Sequence, residues 1–265
     1  MYAFELHQPK SVSEAVALLA DPESRPLAGG QSLIAAMKLR LAAPAALVDL
    51  GGIAELRGVR REGDALVIGA GTCHAEIAGS GDVKQSIPAL AYLAGEIGDV
   101  QVRNLGTIGG SLANNDPAAC YPAAALGLNA TIRTDRRSIE ADAFFTGMYE
   151  TALQPGEIIT AVQFPIPEKA AYIKFVNPAS RFALVGVFVA RGADGRVRVA
   201  VTGCAGCAFR ATDLEKALEA NFTADAAKAV SIAPDGLSSD LHASAAYRAH
   251  LIPVLAGRAV AEALK

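Results

Sequence analysis

Two glycine-rich loops hold the residues whose types and spacing could do chemistry. The first is Ala28-Gly29-Gly30-Gln31-Ser32, between an extended stretch and a helix. The second runs from Thr107 through Ile108, Gly109, Gly110 and Ser111 to Leu112-Ala113-Asn114-Asn115-Asp116-Pro117. Paired glycines let a backbone approach a ligand closely and take φ > 0. A helix that follows such a loop aims free N–H groups and the positive end of its dipole at the same space, a setting for an anion. Two such loops, each with hydroxyls beside its Gly pair, point to two backbone cradles closing on one diphosphate. Neither Gly pair has a Lys or Arg immediately beside it. That favours a bound dinucleotide over a phosphoryl-transfer substrate, which calls for Lys, Arg and a metal. The competing reading makes both loops ordinary turns.

Other motifs fall away. Gly69-Ala70-Gly71 follows a strand, but His74 stands where G-x-G-x-x-G needs its third glycine, and no P-loop sequence is present. Cys204-Ala205-Gly206-Cys207 has C-x-x-C spacing but no second pair nearby, and it lies at a strand end. A redox role for Cys204 and Cys207 is therefore a minor alternative. His74 reads as a loop or helix-start residue satisfied by backbone groups. No Ser-His-Asp set or carboxylate pair is legible.

Composition narrows the class. The 265 residues are 52% hydrophobic and 19% charged, so the chain is globular and long enough for a real core. Lys plus Arg number 24 against 27 Asp plus Glu, and no basic run exceeds Arg60-Arg61 or Arg136-Arg137. Nucleic acid is not an expected partner. The most apolar stretch, Phe182 to Ala190, is far shorter than the roughly 20 residues of a membrane span. MYAFELHQPK carries no export signal, and four dispersed cysteines make no disulfide framework. A cytoplasmic protein with reduced thiols is expected.

The elements that would position the loops suggest an α+β chain. Residues 1 to about 52 read as a β-α-β-α-β unit, with an S-x-x-E capping box at Ser11 and Glu14. From about 53 to 168, strands are expected at 65–68, 130–134 and 158–164, with a helix near 88–97. Pro165-Ile166-Pro167-Glu168-Lys169 is the strongest linker signal. Beyond it come strands at 172–175, 183–190 and 197–202, an Asp194-Gly195 hairpin turn, and helices near 213–220, 224–231 and 244–264.

The two loops carry a family resemblance. Ala28-Gly29-Gly30-Gln31-Ser32, with Leu33 and Met37-Lys38-Leu39-Arg40 behind it, and Thr107-Ile108-Gly109-Gly110-Ser111, with Asp116-Pro117-Ala118-Ala119, resemble the two FAD-binding motifs of the medium, flavoprotein subunits of molybdenum hydroxylases. That family includes the medium subunit of carbon monoxide dehydrogenase and the flavin domain of xanthine dehydrogenase. Pro178-Ala179-Ser180-Arg181-Phe182 and Tyr247-Arg248 resemble its C-terminal domain. The resemblance implies a two-part FAD-binding domain of the molybdopterin dehydrogenase, vanillyl-alcohol-oxidase-like type at 1–168, with subdomains of about 1–52 and 53–168. A small antiparallel sheet with helices follows at 171–265. By position, Leu27, Ala28, Gly29, Gly30, Gln31, Ser32 and Leu33 would line the diphosphate together with Thr107, Ile108, Gly109, Gly110 and Ser111. Ile97 and Ile159 would be apolar contacts, and Asp116, Cys120 and Lys174 complete the cofactor-binding set. No catalytic residue and no metal ligand are assigned. The chain departs from the family where Cys120 replaces an Asp, Val176 replaces a Lys, and Gln31 replaces a His.

The implied role is that of an oxidoreductase subunit for electron transfer. Substrate is oxidised on a large subunit with the molybdenum cofactor, and a small subunit holds two [2Fe–2S] clusters. FAD then passes electrons to NAD⁺, a quinone or oxygen. Four cysteines without ferredoxin-like spacing agree with clusters housed elsewhere. The alternatives are a single-chain FAD reductase resembling UDP-N-acetylenolpyruvoylglucosamine reductase, or a flavin-free binding module.

Overall fold

The structure, a computed structural model, describes residues 1–265. The N-terminal unit contains β1 (Glu5–His7), α1 (Val12–Leu18), β2 (Ser24–Leu27), α2 (Leu33–Lys38) and β3 (Ala46–Asp49). Its three strands form a parallel sheet in the order β1-β3-β2. Ser11 caps α1 by accepting the Glu14 N–H at 3.2 Å, and the Glu14 carboxylate accepts the Lys10 N–H at 2.8 Å. The expected capping box is thus displaced by one residue on its return arm. Ala15, Val48, Ile53, Leu56 and Ile158 form the small core beneath this sheet.

The middle unit contains β4 (Val59–Glu62), β5 (Ala65–Gly69), α3 (His74–Gly79), α4 (Gly81–Ser86) and α5 (Pro88–Gly95). There follow α6 (Val100–Leu105), α7 (Ile108–Asn114), α8 (Tyr121–Gly127), β6 (Thr131–Thr134), β7 (Ser138–Glu140), α9 (Ala141–Phe144), β8 (Phe145–Gly147), β9 (Glu150–Thr151) and β10 (Ile159–Pro165). Five strands pair antiparallel in the order β4-β5-β10-β6-β7, and β8-β9 is a separate hairpin. The helices between β5 and β6 are only six to eight residues long, and α3, α5, α7 and α8 are rich in alanine and glycine, so their apolar periodicity is weak. Only α5 is legible in the sequence.

The chain breaks at Ile166–Glu168, between the end of β10 and β11 (Lys169–Val176). β11 pairs with β12 (Ala183–Arg191), which pairs with β13 (Val197–Thr202) and then β14 (Phe209–Arg210), all antiparallel. The Asp194-Gly195 turn joins β12 to β13, with Gly195 at φ +81. α10 (Thr212–Ala220), α11 (Ala224–Lys228) and α12 (Ala245–Ala263) follow.

Both faces of this last sheet are buried, and the period-two alternation of strands decides what each face meets. Val185, Val187 and Val189 of β12 join a core with α10 and α12, whereas Phe188 and Ala190 face the middle unit's core. A Cβ on Gly127 of α8 would lie 2.7 Å from Phe188, so glycine lets the two units approach. Around that contact, Arg198 donates to the Leu126 carbonyl at 2.7 Å and pairs with Asp142. Arg210 pairs with Asp142 at 3.1 Å and Glu215 at 2.6 Å. No helix is long and apolar enough to cross a membrane.

Candidate functional site: a long cleft between two glycine loops

The two loops meet on one side of the molecule. A Cβ on Gly29 would lie 2.1 Å from the Leu105 carbonyl oxygen, so the first loop rests on the backbone joining α6 to α7. A Cβ on Gly110 would come within 3.5 Å of Ala28 Cβ. Beside this contact runs a cleft of about 1120 Å³, lined by all three units of the fold. Sites for drug-sized ligands occupy roughly 300–1,000 Å³, so this cleft has room for a ligand at or above the large end of that class.

The first loop presents its backbone. None of the N–H groups from Ala28 to Leu33 has a hydrogen-bond partner within the protein. Gly30 adopts φ +71, the left-handed region where glycine avoids a Cβ penalty. The Gln31 side-chain amide donates to the Gly29 carbonyl at 2.9 Å, and Ser32 makes no capping bond, which leaves its hydroxyl available. Successive unclaimed N–H groups around a left-handed residue make an anion-binding concavity. This donor set fits the diphosphate of FAD.

The second loop differs. Thr72 O accepts the Ile108 N–H at 3.2 Å and Ala70 O accepts the Gly109 N–H at 2.8 Å. The Gly110 N–H reaches Thr107 Oγ1 at 3.2 Å, and the Ser111 N–H reaches Thr107 O at 3.0 Å. Of this loop's expected anion-binding N–H groups, only that of Thr107 lacks a partner. Gly109 is buried, and a Cβ there would lie 2.6 Å from Ala70 Cβ. Its glycine serves packing. Ile108, expected at the ligand, is instead fully buried in the core and does not line the cleft.

Leu27 through Leu33, Ile97, Thr107, Gly109, Gly110, Ser111, Asp116, Cys120, Ile159 and Lys174 all line the cleft. Lys174 Nζ donates to the carbonyls of Glu96 at 2.6 Å and Arg181 at 3.1 Å, and lies 3.8 Å from Cys120 Sγ. Burial pushes the Cys120 thiol pKa up, against the nearby Lys174. A neutral thiol therefore stands beside the Lys174 side chain. Asp116 Oδ1 accepts the Ala118 N–H at 2.8 Å.

Several cleft residues carried no clear sequence signal. His74 starts α3, and its N–H is satisfied by the Gly106 carbonyl at 3.0 Å, but its ring Nδ1 is buried without a partner. This corrects the expectation of full backbone satisfaction. Burial, with Arg103 adding to it, lowers its pKa to about 4, so the ring is neutral near pH 7. Glu157 also lines the cleft, and its carboxylate is saturated by Arg137, Thr134 Oγ1 and the Gln154 N–H. The Arg137 guanidinium is the main reason its pKa falls to about 2. Tyr149, Arg181 and Phe182 complete the rim. Cys204 is buried in the C-terminal core and its thiol pKa is pushed up to about 12 by burial, which leaves no ready thiolate for a C-x-x-C redox pair.

Comparison with known proteins agrees with this architecture. Residues 2–167 match the family described as FAD binding domain in molybdopterin dehydrogenase. The nicotine 6-hydroxylase medium subunit of Paenarthrobacter nicotinovorans is 38% identical, over 98% of this chain and 97% of that protein. The carbon monoxide dehydrogenase medium chain of Hydrogenophaga pseudoflava is 37% identical, over 98% and 96%. A solved carbon monoxide dehydrogenase structure from H. pseudoflava superposes with a TM-score of 0.88 at 36% identity, covering 99% of this chain and 98% of the other. These full-length matches favour the hydroxylase reading over the nucleotide-sugar reductase and over a flavin-free module. The chain belongs to the FAD-binding family of the molybdopterin dehydrogenases and is an FAD-binding medium subunit of the molybdenum hydroxylases.

Proposed function

We propose that the cleft holds FAD with its diphosphate along the first glycine loop, and that the chain relays electrons from an iron–sulfur partner to an external acceptor. The observation that carries this reading is the run of unclaimed N–H groups from Ala28 to Leu33 around Gly30. Bound FAD supplies the redox chemistry, taking up electrons and releasing them to an acceptor. The chain's own residues bind and orient. The first loop neutralises the diphosphate with N–H donors, while Ile97 and Ile159 offer apolar wall. Lys174 Nζ, with no carboxylate partner, stands at that wall.

The partners in this reading are a large subunit with the molybdenum cofactor and a small subunit with [2Fe–2S] clusters. The medium-chain designation of the relatives supports this division. The dispersed cysteines also support it, since cluster ligation needs a set of closely spaced thiolates. NAD⁺, a quinone or oxygen is the acceptor class, and the four unpaired cysteines suit a cytoplasmic assembly. We take 1–168, subdivided near 52, and 171–265 as the functional domains.

The test is a visible spectrum of the complex co-expressed with its partners, after removal of free flavin. Stoichiometric oxidised-flavin bands support the reading, and a colourless complex contradicts it.

A further inference from the structure

The β8–β9 hairpin brings an aromatic side chain to the cleft in a conformation that its residue type disfavours. Tyr149 is 58% exposed, lines the cleft and sits at φ +57. Glycine or asparagine serves such a turn position with less strain, and a bulky residue there is an outlier that persists only where its surroundings over-determine it. Here they do. The Tyr149 N–H donates to Asn115 O at 3.2 Å, and its hydroxyl donates to Asp116 Oδ2 at 3.3 Å. Asn115 is fully buried at φ +41, and its side-chain amide donates to Gly147 O and Glu150 O, both at 2.8 Å. One buried side chain therefore grips both strands of the hairpin whose tip carries Tyr149. Partial burial and the neighbouring Asp116 both raise the Tyr149 pKa, which keeps the hydroxyl protonated for its bond to that carboxylate.

We propose that Tyr149 is a cofactor-contacting residue, its ring packing on a planar heteroaromatic ring of the bound dinucleotide, and that Asn115 is the positioning residue that holds it there. This rests on the FAD reading of the cleft. An exposed ring fixed at both its backbone and its hydroxyl is preorganised for stacking or edge contact with a flat ligand. FAD offers two such rings, the isoalloxazine and the adenine. The hairpin is separate from the five-stranded sheet and is held to α7 through Asn115, so the contact is local to the cleft wall.

The experiment titrates FAD and ADP into the deflavinated full complex. It compares wild type with Tyr149→Leu, Tyr149→Phe and Asn115→Gly, the last keeping the left-handed backbone while deleting the amide. Tyr149→Leu is expected to weaken FAD binding roughly three- to tenfold, while Tyr149→Phe stays near wild type. A rise in bound-flavin emission in Tyr149→Leu, from lost quenching, assigns the contact to the isoalloxazine. A parallel loss of ADP affinity with unchanged emission assigns it to adenine. Asn115→Gly should shift the same readouts in the same direction, and the Asn115→Gly/Tyr149→Leu double variant should lose no more than Tyr149→Leu alone. Tyr149→Leu with wild-type affinity and emission overturns the contact, and additive losses in the double variant overturn the positioning role. A wild-type complex that takes up no FAD counts against the FAD reading itself, which keeps the two failures distinct.

Discussion

In the first glycine loop, the N–H groups from Ala28 to Leu33 have no partner within the protein. In the second, the N–H groups of Ile108, Gly109, Gly110 and Ser111 are all taken by Thr72, Ala70 and Thr107. The glycines follow the same division. Gly30 is needed for its left-handed φ of +71, whereas Gly109 is needed because Ala70 leaves no room for a Cβ. One loop is an open cradle and the other is a packed brace against which that cradle rests. A glycine pair followed closely by a serine can thus serve ligand contact or close packing, and the hydrogen-bond inventory distinguishes the two.

This contrast can be broken at the brace first. Gly109→Val places a branched side chain against the Ala70 backbone, whose carbonyl oxygen lies 2.8 Å from even the first added carbon. It should lower unfolding free energy by roughly 3 kcal/mol with or without FAD, as chemical denaturation would measure. A stability within about 0.5 kcal/mol of wild type would show that the second loop is not packed as described.

His74 supports the same brace, because a Cβ on Gly106 would lie 2.6 Å from its Nε2. Its folded-state pKa of about 4 lies below the ordinary 6.5. Between these values the unfolded chain binds the proton and the folded chain does not, so stability falls as pH drops from 6.5 to 4. The total loss is up to roughly 3 kcal/mol. His74→Leu should flatten that part of the pH–stability curve, and an unchanged slope would assign it to other groups.

The cradle side should respond differently. Gly30→Ala should cost only about 1 kcal/mol of stability, from the strained φ, yet weaken FAD binding by about tenfold. Isothermal titration alongside denaturation separates the two effects. Equal losses in stability and binding would remove the distinction between the loops.

Much of this arrangement was legible in the residues. β5, β10, β12, β13 and α12 follow from apolar runs and turn residues, and β13 spans the expected 197–202. The Gly pairs marked both loops, and all the expected cleft residues except Ile108 line one cleft. The helices α3, α4, α6, α7 and α8 were not legible, because they are six or seven residues long and stabilised by tertiary packing rather than by periodicity. The division of labour between the loops was hidden for a related reason. The carbonyls that claim the Ile108 and Gly109 N–H groups come from Thr72 and Ala70, more than thirty residues away in the chain. Tyr149 carried no signal of its own, since its placement depends on Asn115 bonding across to Gly147 and Glu150.

The most direct test is amide hydrogen exchange, resolved to single residues, with and without FAD. The account predicts fast exchange from residues 28 to 33 without FAD and strong protection there when FAD binds. Residues 108 to 111 should be protected in both states. Unchanged fast exchange at 28–33 on FAD binding, with new protection appearing at 108–111, would contradict the assignment of cradle and brace.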